Sequence, residues 1–336
     1  MKPTMLDIAK ACGVSKTLVS RIVNKDSTLK IPNETREKVL QEIERQHYIP
    51  NFNARILNNK LHNNIESQFK LGYAVYSEND ASGHPYFSHV FSGAIDEATR
   101  QKCVIVPVIM QYIDKNFIVT CPDDLDGLLI PTFIKNEKLK QIISSKFQYI
   151  VSMDGEFNAK SDIVETSICR SLRMGLNHLY SLGYREFGLL SGGIQERIDD
   201  FFDFAQKNDI VVLSHFVLDC SHNSTVAYQK MKEALKTSKP PRAILCHNDE
   251  MAIGCIQALI ESGYRIPEDV AIVGHDDIDI SAFTQVPLTT IRVYKEEIGR
   301  LAVLVLLERL RNKRKVPVHV DIPSKLIKRQ SCGAKK

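Results

Sequence analysis

The 336-residue sequence has no apolar run approaching the roughly 18 to 20 residues needed to span a bilayer. Its start, MKPTMLDIAK, has no apolar stretch of the kind found in secretory signal peptides. The eight cysteines form no C-x-x-C pair, which disfavours a zinc site. We therefore expect a cytoplasmic protein of two or three globular domains, with reduced thiols, no cofactor or metal, and no membrane partner.

Motifs of three enzyme classes are also missing. The stretch SGGIQER (191–197) lacks the G-x-G-x-x-G spacing of dinucleotide-binding folds, and neither a P-loop nor G-x-S-x-G occurs. Histidines are spread among carboxylates, but no spacing selects a metal-binding or catalytic set. An enzyme is therefore the weaker interpretation.

Positive charge is concentrated in the N-terminal part of the chain. Residues 1–60 carry 11 Lys and Arg against 6 Asp and Glu, whereas residues 61–336 carry 33 against 34. A basic segment ahead of a near-neutral body favours a module that binds a polyanion, although a solvated basic surface gives the same balance.

The basic segment has the pattern of two short helices joined by a tight turn. Thr4 can cap a first helix, Gly13 ends it, and Ser15 can cap a second helix with a buried apolar stripe. The other face of the second helix presents Lys16, Thr17, Ser20, Arg21 and Asn24. A third helix from about Asn33 to His47 would complete a helix-turn-helix, whose second helix enters the major groove.

From about residue 70 onward, short apolar runs alternate with helical patterns. Eight runs predict strands, at 71–77, 103–110, 127–131, 148–153, 187–192, 211–216, 242–247 and 270–275. Such alternation is typical of parallel sheets with helices on both faces. The predicted fold class is a small all-α helix-turn-helix head plus an α/β body with two sheets.

Several motifs occur together in one known family. Residues 4–60 contain T-x-x-D-I-A, G-V-S-x-x-x-V-S-R-x-x-N, T-R-x-x-V and Y-x-P-N-x-x-A-R-x-L. The body contains YSLGYREFGLLSGG (180–193), AILCHNDEMAIGCIQALIESGYRIPEDVAIVGHDD (243–277) and PLTTIRVYKEEIGRLAVLVLLERL (287–310). On these motifs the chain resembles the lactose/galactose repressor family of bacterial transcriptional regulators over nearly its whole length.

The resemblance implies a domain organisation. It places a DNA-binding head at 1–60 with a hinge helix at about 51–58, a linker at 61–70, and an effector-binding and dimerisation core at 71–336. The family core is like a periplasmic sugar-binding protein, with two doubly wound parallel-sheet subdomains and an effector between them. The N-subdomain would comprise about 71–158 and 291–318, and the C-subdomain about 159–290 and 319–330. The stretch QYIDKNFIVTCPDD (111–124) is shorter than the usual helix-containing connection.

The resemblance also assigns roles in the head. Thr4, Ser15 and Asn24 fall at phosphate-binding positions, and Lys16, Thr17 and Arg21 fall at base-reading positions. Lysine and arginine can donate to guanine, and threonine offers a hydroxyl and a methyl. Leu57 matches a leucine that wedges into the minor groove, and the hinge contacts are completed by Asn51, Ala54 and Arg55.

For the effector, the resemblance and the strand ends indicate the same region, because ligands of parallel sheets bind beyond the carboxyl ends of the strands. The predicted ligand-binding residues are Tyr86, Phe87, Asp154, Arg197, His222, Asn248 and Asp276. His222 stands where relatives often carry a stacking aromatic ring, and His247 and His275 replace more usual small or aromatic residues. For Asp249, a helix N-cap or a loop carboxylate is the favoured interpretation.

The expected function is transcriptional regulation by a homodimer, most simply repression. The partners would be a near-palindromic operator in double-stranded DNA and a small-molecule effector, a sugar before a purine or nucleoside. Two other classes remain open: an enzyme acting on a sugar or nucleoside that kept a DNA-binding head, and a stand-alone ligand-binding protein.

Overall fold

The computed structural model describes residues 4–23, 29, 31–46, 69–76, 85–113, 116–131, 134, 136–153 and 155–333. The chain divides into two compact units. The first unit comprises Met1–Glu165 and Tyr294–Ile322, and the second comprises Thr166–Val293 and Pro323–Lys336.

The described residues of the amino-terminal part of the first unit form three helices, α1 (Met5–Cys12), α2 (Lys16–Val23) and α3 (Asn33–Arg45). Gly13 ends α1 with a φ of 69°, a left-handed conformation that favours glycine. The three helices bury one apolar cluster, whose buried members are Ile8, Ala9, Cys12, Val19, Ile22 and Val39. The predicted helix-turn-helix is thereby confirmed.

The sheet of the first unit has the strand order β12–β6–β5–β4–β1–β2–β3. The strands are β1 (Lys70–Tyr76), β2 (Val104–Ile113), β3 (Asn116–Thr120), β4 (Gly127–Ile130), β5 (Ile150–Ser152), β6 (Asp162–Glu165) and β12 (His319–Asp321). All neighbouring strands run parallel except β2 and β3. The helices that the structure describes alongside this sheet are α4 (Pro85–Arg100), α5 (Glu137–Lys146) and α10 (Lys295–Asn312).

The short connection after β2 forms strand β3 at the edge of the sheet. β3 turns back on β2 as an antiparallel hairpin, with Ile109 opposite Thr120 and Met110 opposite Val119. Phe117 and Val119 pack against the apolar cluster of the sheet, whereas Ile118 on the other face is exposed. A hairpin can replace a helix here because its alternate residues supply the apolar contacts.

Helices α4 and α10 approach closely at two glycines. A Cβ atom on Gly93 would lie 1.9 Å from the carbonyl oxygen of Glu296, and one on Gly299 would lie 1.8 Å from that of Val90. Any side chain at these positions would push the helices apart, so the packing of α10 on α4 depends on both glycines.

The sheet of the second unit has the order β13–β11–β10–β9–β7–β8. Its strands are β7 (Glu186–Ser191), β8 (Val211–Asp219), β9 (Ala243–Cys246), β10 (Ala271–Asp276), β11 (Thr289–Arg292) and β13 (Lys325–Ile327). Its α-helices are α6 (Ile168–Ser181), α7 (Gln195–Lys207), α8 (Ser224–Thr237) and α9 (Asp249–Glu261). Only β11 and β13 pair antiparallel.

The two faces of this second sheet are covered by different helices. Leu245 of β9 belongs to an apolar cluster with residues of α6 and α7, whereas its neighbours Ile244 and Cys246 belong to a cluster with residues of α8 and α9. Because alternate strand residues point to opposite faces, the sheet lies between two helical layers. This confirms the predicted doubly wound α/β class. None of the described helices is both long and apolar enough to cross a membrane.

Candidate functional site

The first candidate surface is the outer face of α2. The apolar face of α2 is fixed in the head, since Val19 and Ile22 are buried against α1 and α3. The Ser15 hydroxyl accepts a hydrogen bond from the backbone N–H of Leu18 at 3.1 Å and so caps the helix. The predicted contact residues of this face comprise the exposed Ser15, Lys16 and Thr17 and the half-buried Ser20 and Arg21. This face therefore carries two cations and three hydroxyls.

Thr4 is held at the start of α1 by a reciprocal pair of hydrogen bonds. Its hydroxyl accepts from the Asp7 N–H at 3.4 Å, while the Asp7 carboxylate accepts from the Thr4 N–H at 2.9 Å. The Thr4 hydroxyl also donates to the Asp7 carboxylate at 2.6 Å, and this bond, together with the one from the Thr4 backbone N–H, lowers the pKa of Asp7. The capping box fixes the position of Thr4, the residue predicted to lie near a phosphate.

Six predicted contact residues lie outside the described residues. They are Asn24, Asn51, Ala54, Arg55, Leu57 and Asp154.

The second candidate site is the carboxyl edge of the parallel strands in the second unit. In spatial order, β10, β9, β7 and β8 lie side by side. The ends of these strands bring together His275 and Asp276, the last two residues of β10, with His247 and Asn248, which follow β9. The start of α7 follows β7 at the same edge, and His222 follows β8. Strand topology thus gathers four predicted ligand-binding residues, Arg197, His222, Asn248 and Asp276, at one edge.

Asp276 ends β10 in an unusual backbone conformation. Its φ is 104°, a value that side-chain-bearing residues rarely adopt, and its carboxylate Oδ1 lies 2.9 Å from the Nδ1 atom of His275. The other ring nitrogen of His275, Nε2, lies 2.7 Å from the Ser171 hydroxyl. The imidazole of His275 therefore fixes one oxygen of the Asp276 carboxylate.

The neighbouring residues Asn248 and Asp249 have structural contacts. Asn248 is the N-cap of α9, and its Oδ1 accepts from the Met251 N–H at 2.9 Å. Asp249 is fully buried and accepts from the Thr290 hydroxyl at 2.5 Å and from the Ile278 N–H at 2.9 Å. The Asp249 carboxylate ties α9 to the segments after β10 and in β11, so it has the loop-carboxylate role favoured by the sequence.

In the sequence, His247 differs from the residues that are usual at this position in the family. The residue is 2% exposed, and neither ring nitrogen has a hydrogen-bond partner within the described part of the chain. Each unpaired buried polar atom costs about 1–3 kcal/mol. Burial lowers the pKa of His247 well below its usual range, and the charges of Arg197, His222 and His275 lower it further. His247 is therefore a neutral imidazole with an unused donor and an unused acceptor.

The remaining predicted residues divide between the two units. Arg197 lies half-buried in the first turn of α7 and forms no hydrogen bond or ion pair through its side chain with any residue that the structure describes. The ring of His222 lies where a Cβ on Gly192 would fall, 1.8 Å from its Nε2 atom. Tyr86 and Phe87 are in the first unit, where their rings meet edge to face with centroids 5.1 Å apart.

No group of three or more potential metal ligands occurs among the described residues.

The buried neutral state of His247 predicts a pH-dependent stability. Below a pH of about 6.5 the unfolded chain takes up a proton on this histidine that the folded chain does not, because the pKa is lowered only in the folded state. The free energy of unfolding of the second unit should therefore fall with decreasing pH, with a contribution approaching about 1.4 kcal/mol per pH unit. Urea unfolding at pH 7.0 and 5.5 measures this loss.

The matched variants are His247→Gln and His215→Gln, the latter at an exposed position of β8. His247→Gln should reduce the loss of stability between the two pH values, and His215→Gln should leave it unchanged. Equal losses in wild type and His247→Gln would show that another group causes the pH dependence.

A helix-turn-helix joined to a doubly wound unit with polar strand ends defines a ligand-responsive DNA-binding regulator. Residues 4–51 match the family described as bacterial regulatory proteins, lacI family, and residues 176–332 match the periplasmic binding protein-like domain. The HTH-type transcriptional repressor MelR of Bacillus subtilis is 31% identical over 340 residues, covering 97% of this chain and 96% of the relative. The chain therefore belongs to the lacI family of bacterial regulatory proteins.

Solved structures show the same fold. The transcriptional regulator CelR in complex with cellobiose is 19% identical with a TM-score of 0.68, covering 98% of this chain and 99% of that chain. The lac repressor dimer bound to operator and the anti-inducer ONPF is 22% identical with a TM-score of 0.67, covering 99% and 100%. With this family membership, the chain is a DNA-binding transcriptional regulator with a small-molecule effector, and not an enzyme.

Proposed function

We propose that the chain acts in the cytoplasm as a homodimeric repressor that reads a near-palindromic operator with α2 and changes its operator affinity when a small molecule binds at the carboxyl edge of β7 to β10. The observation that carries the proposal is the outer face of α2, which presents Lys16, Thr17 and Arg21 while its apolar face is fixed in the head. The dimeric, operator-bound state of the lac repressor supports the DNA-binding arrangement. The cellobiose complex of CelR supports a sugar as the class of effector.

Three contributions to DNA binding are separable. Lys16 and Arg21 can donate to guanine O6 and N7, Thr17 can contact a thymine methyl, and Ser15 and Thr4 lie at helix starts, where N–H groups favour phosphates. Base contacts change specificity, whereas phosphate contacts change affinity for all sequences. A gel shift with promoter DNA at two salt concentrations tests DNA binding as a whole, since affinity for phosphates falls steeply with salt.

The base-reading role of Arg21 gives a prediction. Arg21→Ala should weaken operator binding by about 1–3 kcal/mol and relax the base preference at one position of each half-site. Fluorescence anisotropy with operator and scrambled duplexes measures both effects. The matched control is Arg45→Ala, which removes an exposed cation of α3 that pairs with Glu42 at 2.7 Å. If Arg21→Ala and Arg45→Ala left the same ratio of operator to scrambled affinity, Arg21 would not read a base.

The effector site gives a second prediction. Asp276→Asn removes the carboxylate charge but keeps the side-chain shape, and a hydrogen bond to a charged group contributes about 1.5–3 kcal/mol. We expect effector affinity to fall by about tenfold or more, with operator affinity in the absence of effector unchanged. A thermal-shift screen of sugars and nucleosides first identifies the effector, because a ligand that binds the folded state raises the melting temperature. Calorimetry then compares the variants.

The control is Asp279→Asn, which changes an exposed carboxylate three residues away. If Asp276→Asn bound the effector with wild-type affinity, Asp276 would not be part of the effector site. Coupling between two binding sites is reciprocal. Operator DNA should therefore change the affinity for the effector by the same factor by which the effector changes the affinity for the operator. The coupling free energy is typically about 1–3 kcal/mol.

A further inference from the structure

The amino edge of the first sheet is crossed by the carboxyl-terminal end of α10. All strands of this sheet except β3 run parallel, so their amino ends lie at one edge. The Arg309 guanidinium donates to the backbone carbonyl of Lys160, in the loop before β6, at 2.9 Å. The Lys313 ammonium lies 5.5 Å from the centre of the Tyr149 ring, directly before β5. These contacts bring the last residues of α10 together with the loops that precede the strands.

Six cations at this edge are exposed, and none of them forms an ion pair with a carboxylate in the described part of the chain. They lie before β2, β5, β6 and β12 and at the end of α10. These six residues, called here the amino-edge cations, are Lys102, Lys146, Lys160, Arg311, Lys313 and Lys315. They are gathered in a region whose overall charge is close to balanced, since residues 61–336 carry 33 Lys and Arg against 34 Asp and Glu.

Most carboxylates near this edge already have a cationic partner. Asp124 pairs with Lys70, and the buried Asp162 and the half-exposed Glu308 both pair with Arg314. Of the other carboxylates in the loop before β4, Asp126 accepts from the Lys70 N–H at 2.7 Å, whereas Asp123 is exposed and offsets one cation. The edge therefore keeps an excess of positive charge.

The dipoles of the helices account for only part of this excess. Lys146 and Arg311 lie in the last turns of α5 and α10, where the partial negative charge of a helix end favours a cation. Lys102, Lys160 and Lys315 lie in the loops before β2, β6 and β12, and their side chains form no hydrogen bond or ion pair within the described ranges. Like charges gathered at one edge repel one another, and an anionic partner removes that repulsion.

The same edge receives the chain from the DNA-binding head. The first strand after the head, β1, begins at Lys70, and the ring of Phe69 before it lies 6.0 Å from the Arg311 guanidinium. Residues 47–68 thus tether the amino-edge cations to a head that binds DNA. A tethered surface meets the bound DNA at a high effective concentration, so weak contacts can add to the affinity. The phosphate backbone of that DNA has the charge that complements this edge.

We infer that the amino edge of the first sheet is a second DNA-binding surface, which contacts the phosphate backbone of duplex DNA beside the operator. The inference rests on the proposed function, because the head must first place the chain on its operator. Lysine and arginine contacts to phosphates read no bases, so this surface binds flanking DNA of any sequence. Each phosphate contact releases counterions and makes the affinity more dependent on salt.

Fluorescence anisotropy of the full chain with two operator duplexes tests the inference. The operator is obtained by selection from a random pool. One duplex ends at the outer bases of the half-sites, and the other is extended by about two helical turns of random sequence on each side. We expect about fivefold or tighter binding of the extended duplex at about 100 mM KCl, with a salt slope steeper by about 2, or roughly two more phosphates. The same extension around a scrambled operator corrects for binding of the head to the flanks.

A fourfold variant removes exposed cations of this edge by Lys102→Gln, Lys160→Gln, Lys313→Gln and Lys315→Gln. It should lose the preference for the extended duplex and the additional salt dependence, with its affinity for the short duplex within about twofold of wild type. The matched variant has Lys207→Gln, Lys230→Gln, Lys236→Gln and Lys239→Gln, which remove the same charge from exposed positions of the second unit. This matched variant should keep the preference for the extended duplex.

Equal affinity of the wild type for the two duplexes would overturn the inference, and this comparison needs no variant to fold. The inference would also be wrong if both fourfold variants lost the same affinity, because net charge alone would then be the cause. An equal loss on both duplexes in the edge variant would show a general effect on the protein and would likewise contradict it. Failure of the wild type to prefer operator over scrambled DNA would instead contradict the proposed function itself.

Discussion

Val19→Asp is expected to abolish specific DNA binding by the full chain. Val19 of α2 is fully buried among residues of all three helices of the head. The substitution removes about 1.5–3 kcal/mol of apolar burial and adds a buried carboxylate, whose penalty is several kcal/mol without a partner. A three-helix domain has little stability to lose, because a small core buries a small fraction of its surface. Operator affinity should fall to the level of the buffer background in anisotropy titrations.

The control for Val19→Asp is Gln41→Asp, which adds the same charge at an exposed position of α3. This control should retain operator binding within a few-fold, since only long-range repulsion from DNA is added. The thermal unfolding of the second unit should be the same in both variants. Specific binding by Val19→Asp, with operator preferred over scrambled DNA, would show that the head does not bind DNA as a folded helix-turn-helix.

The second large effect is expected from Asp162→Ala in the first unit. Asp162 of β6 is fully buried, and its carboxylate pairs with Arg309 at 3.1 Å and with Arg314 at 2.9 Å. It also accepts from the Val318 N–H at 2.7 Å, so it links β6 to α10 and to the segment before β12. Removing one partner of a buried ion pair leaves an uncompensated charge and costs about 3–5 kcal/mol. Urea unfolding monitored on the first unit should show a loss of this size.

Glu308→Ala is the matched control, because Glu308 pairs with the same Arg314 at 2.7 Å but is 45% exposed. A surface ion pair contributes about 0–1 kcal/mol, so this variant should be destabilised far less than Asp162→Ala. If both variants lost the same free energy of unfolding, burial would not be the reason why Asp162 stabilises the first unit.

The head was predictable because its signals are local. The N-cap at Thr4, the glycine at position 13 and the N-cap at Ser15 each act within four residues, and the structure has α1 and α2 as these residues indicate. The long helices of the second unit were predictable for the same reason: the pattern at 167–182 corresponds to α6 and that at 248–262 to α9.

Short edge strands could not be predicted in the same way. β12 and β13 have three residues each, and their positions are set by pairing with β6 and β11, far away in sequence. β3 carries a visible alternation of half-buried and exposed residues, but its role as an edge strand depends on the hairpin with β2. The positions of these strands depend on tertiary strand pairing. The hydrophobic periodicity of the sequence holds no information on that pairing.

The gathering of the proposed effector residues at one edge of the second sheet was predictable, whereas the contacts of their side chains were only partly so. Parallel strand order explains why residues after β7, β8, β9 and β10 converge, and this order follows from the alternation of strands and helices. The lack of partners at His247 and Arg197, in contrast, depends on which side chains surround them in the fold. The sequence signal that could have indicated His247 is its departure from the small or aromatic residues that are more usual beside the Asn-Asp and Asp-Asp pairs.

The central claim, that α2 reads a near-palindromic operator as part of a dimer, is tested most directly by selecting bound sequences from a random pool of duplex DNA with the full chain. We predict that successive rounds enrich one sequence containing two half-sites related by inverted repeat, because a two-fold symmetric dimer presents two copies of α2. A pool that stays random, or one enriched in a single unrepeated motif, would contradict the account.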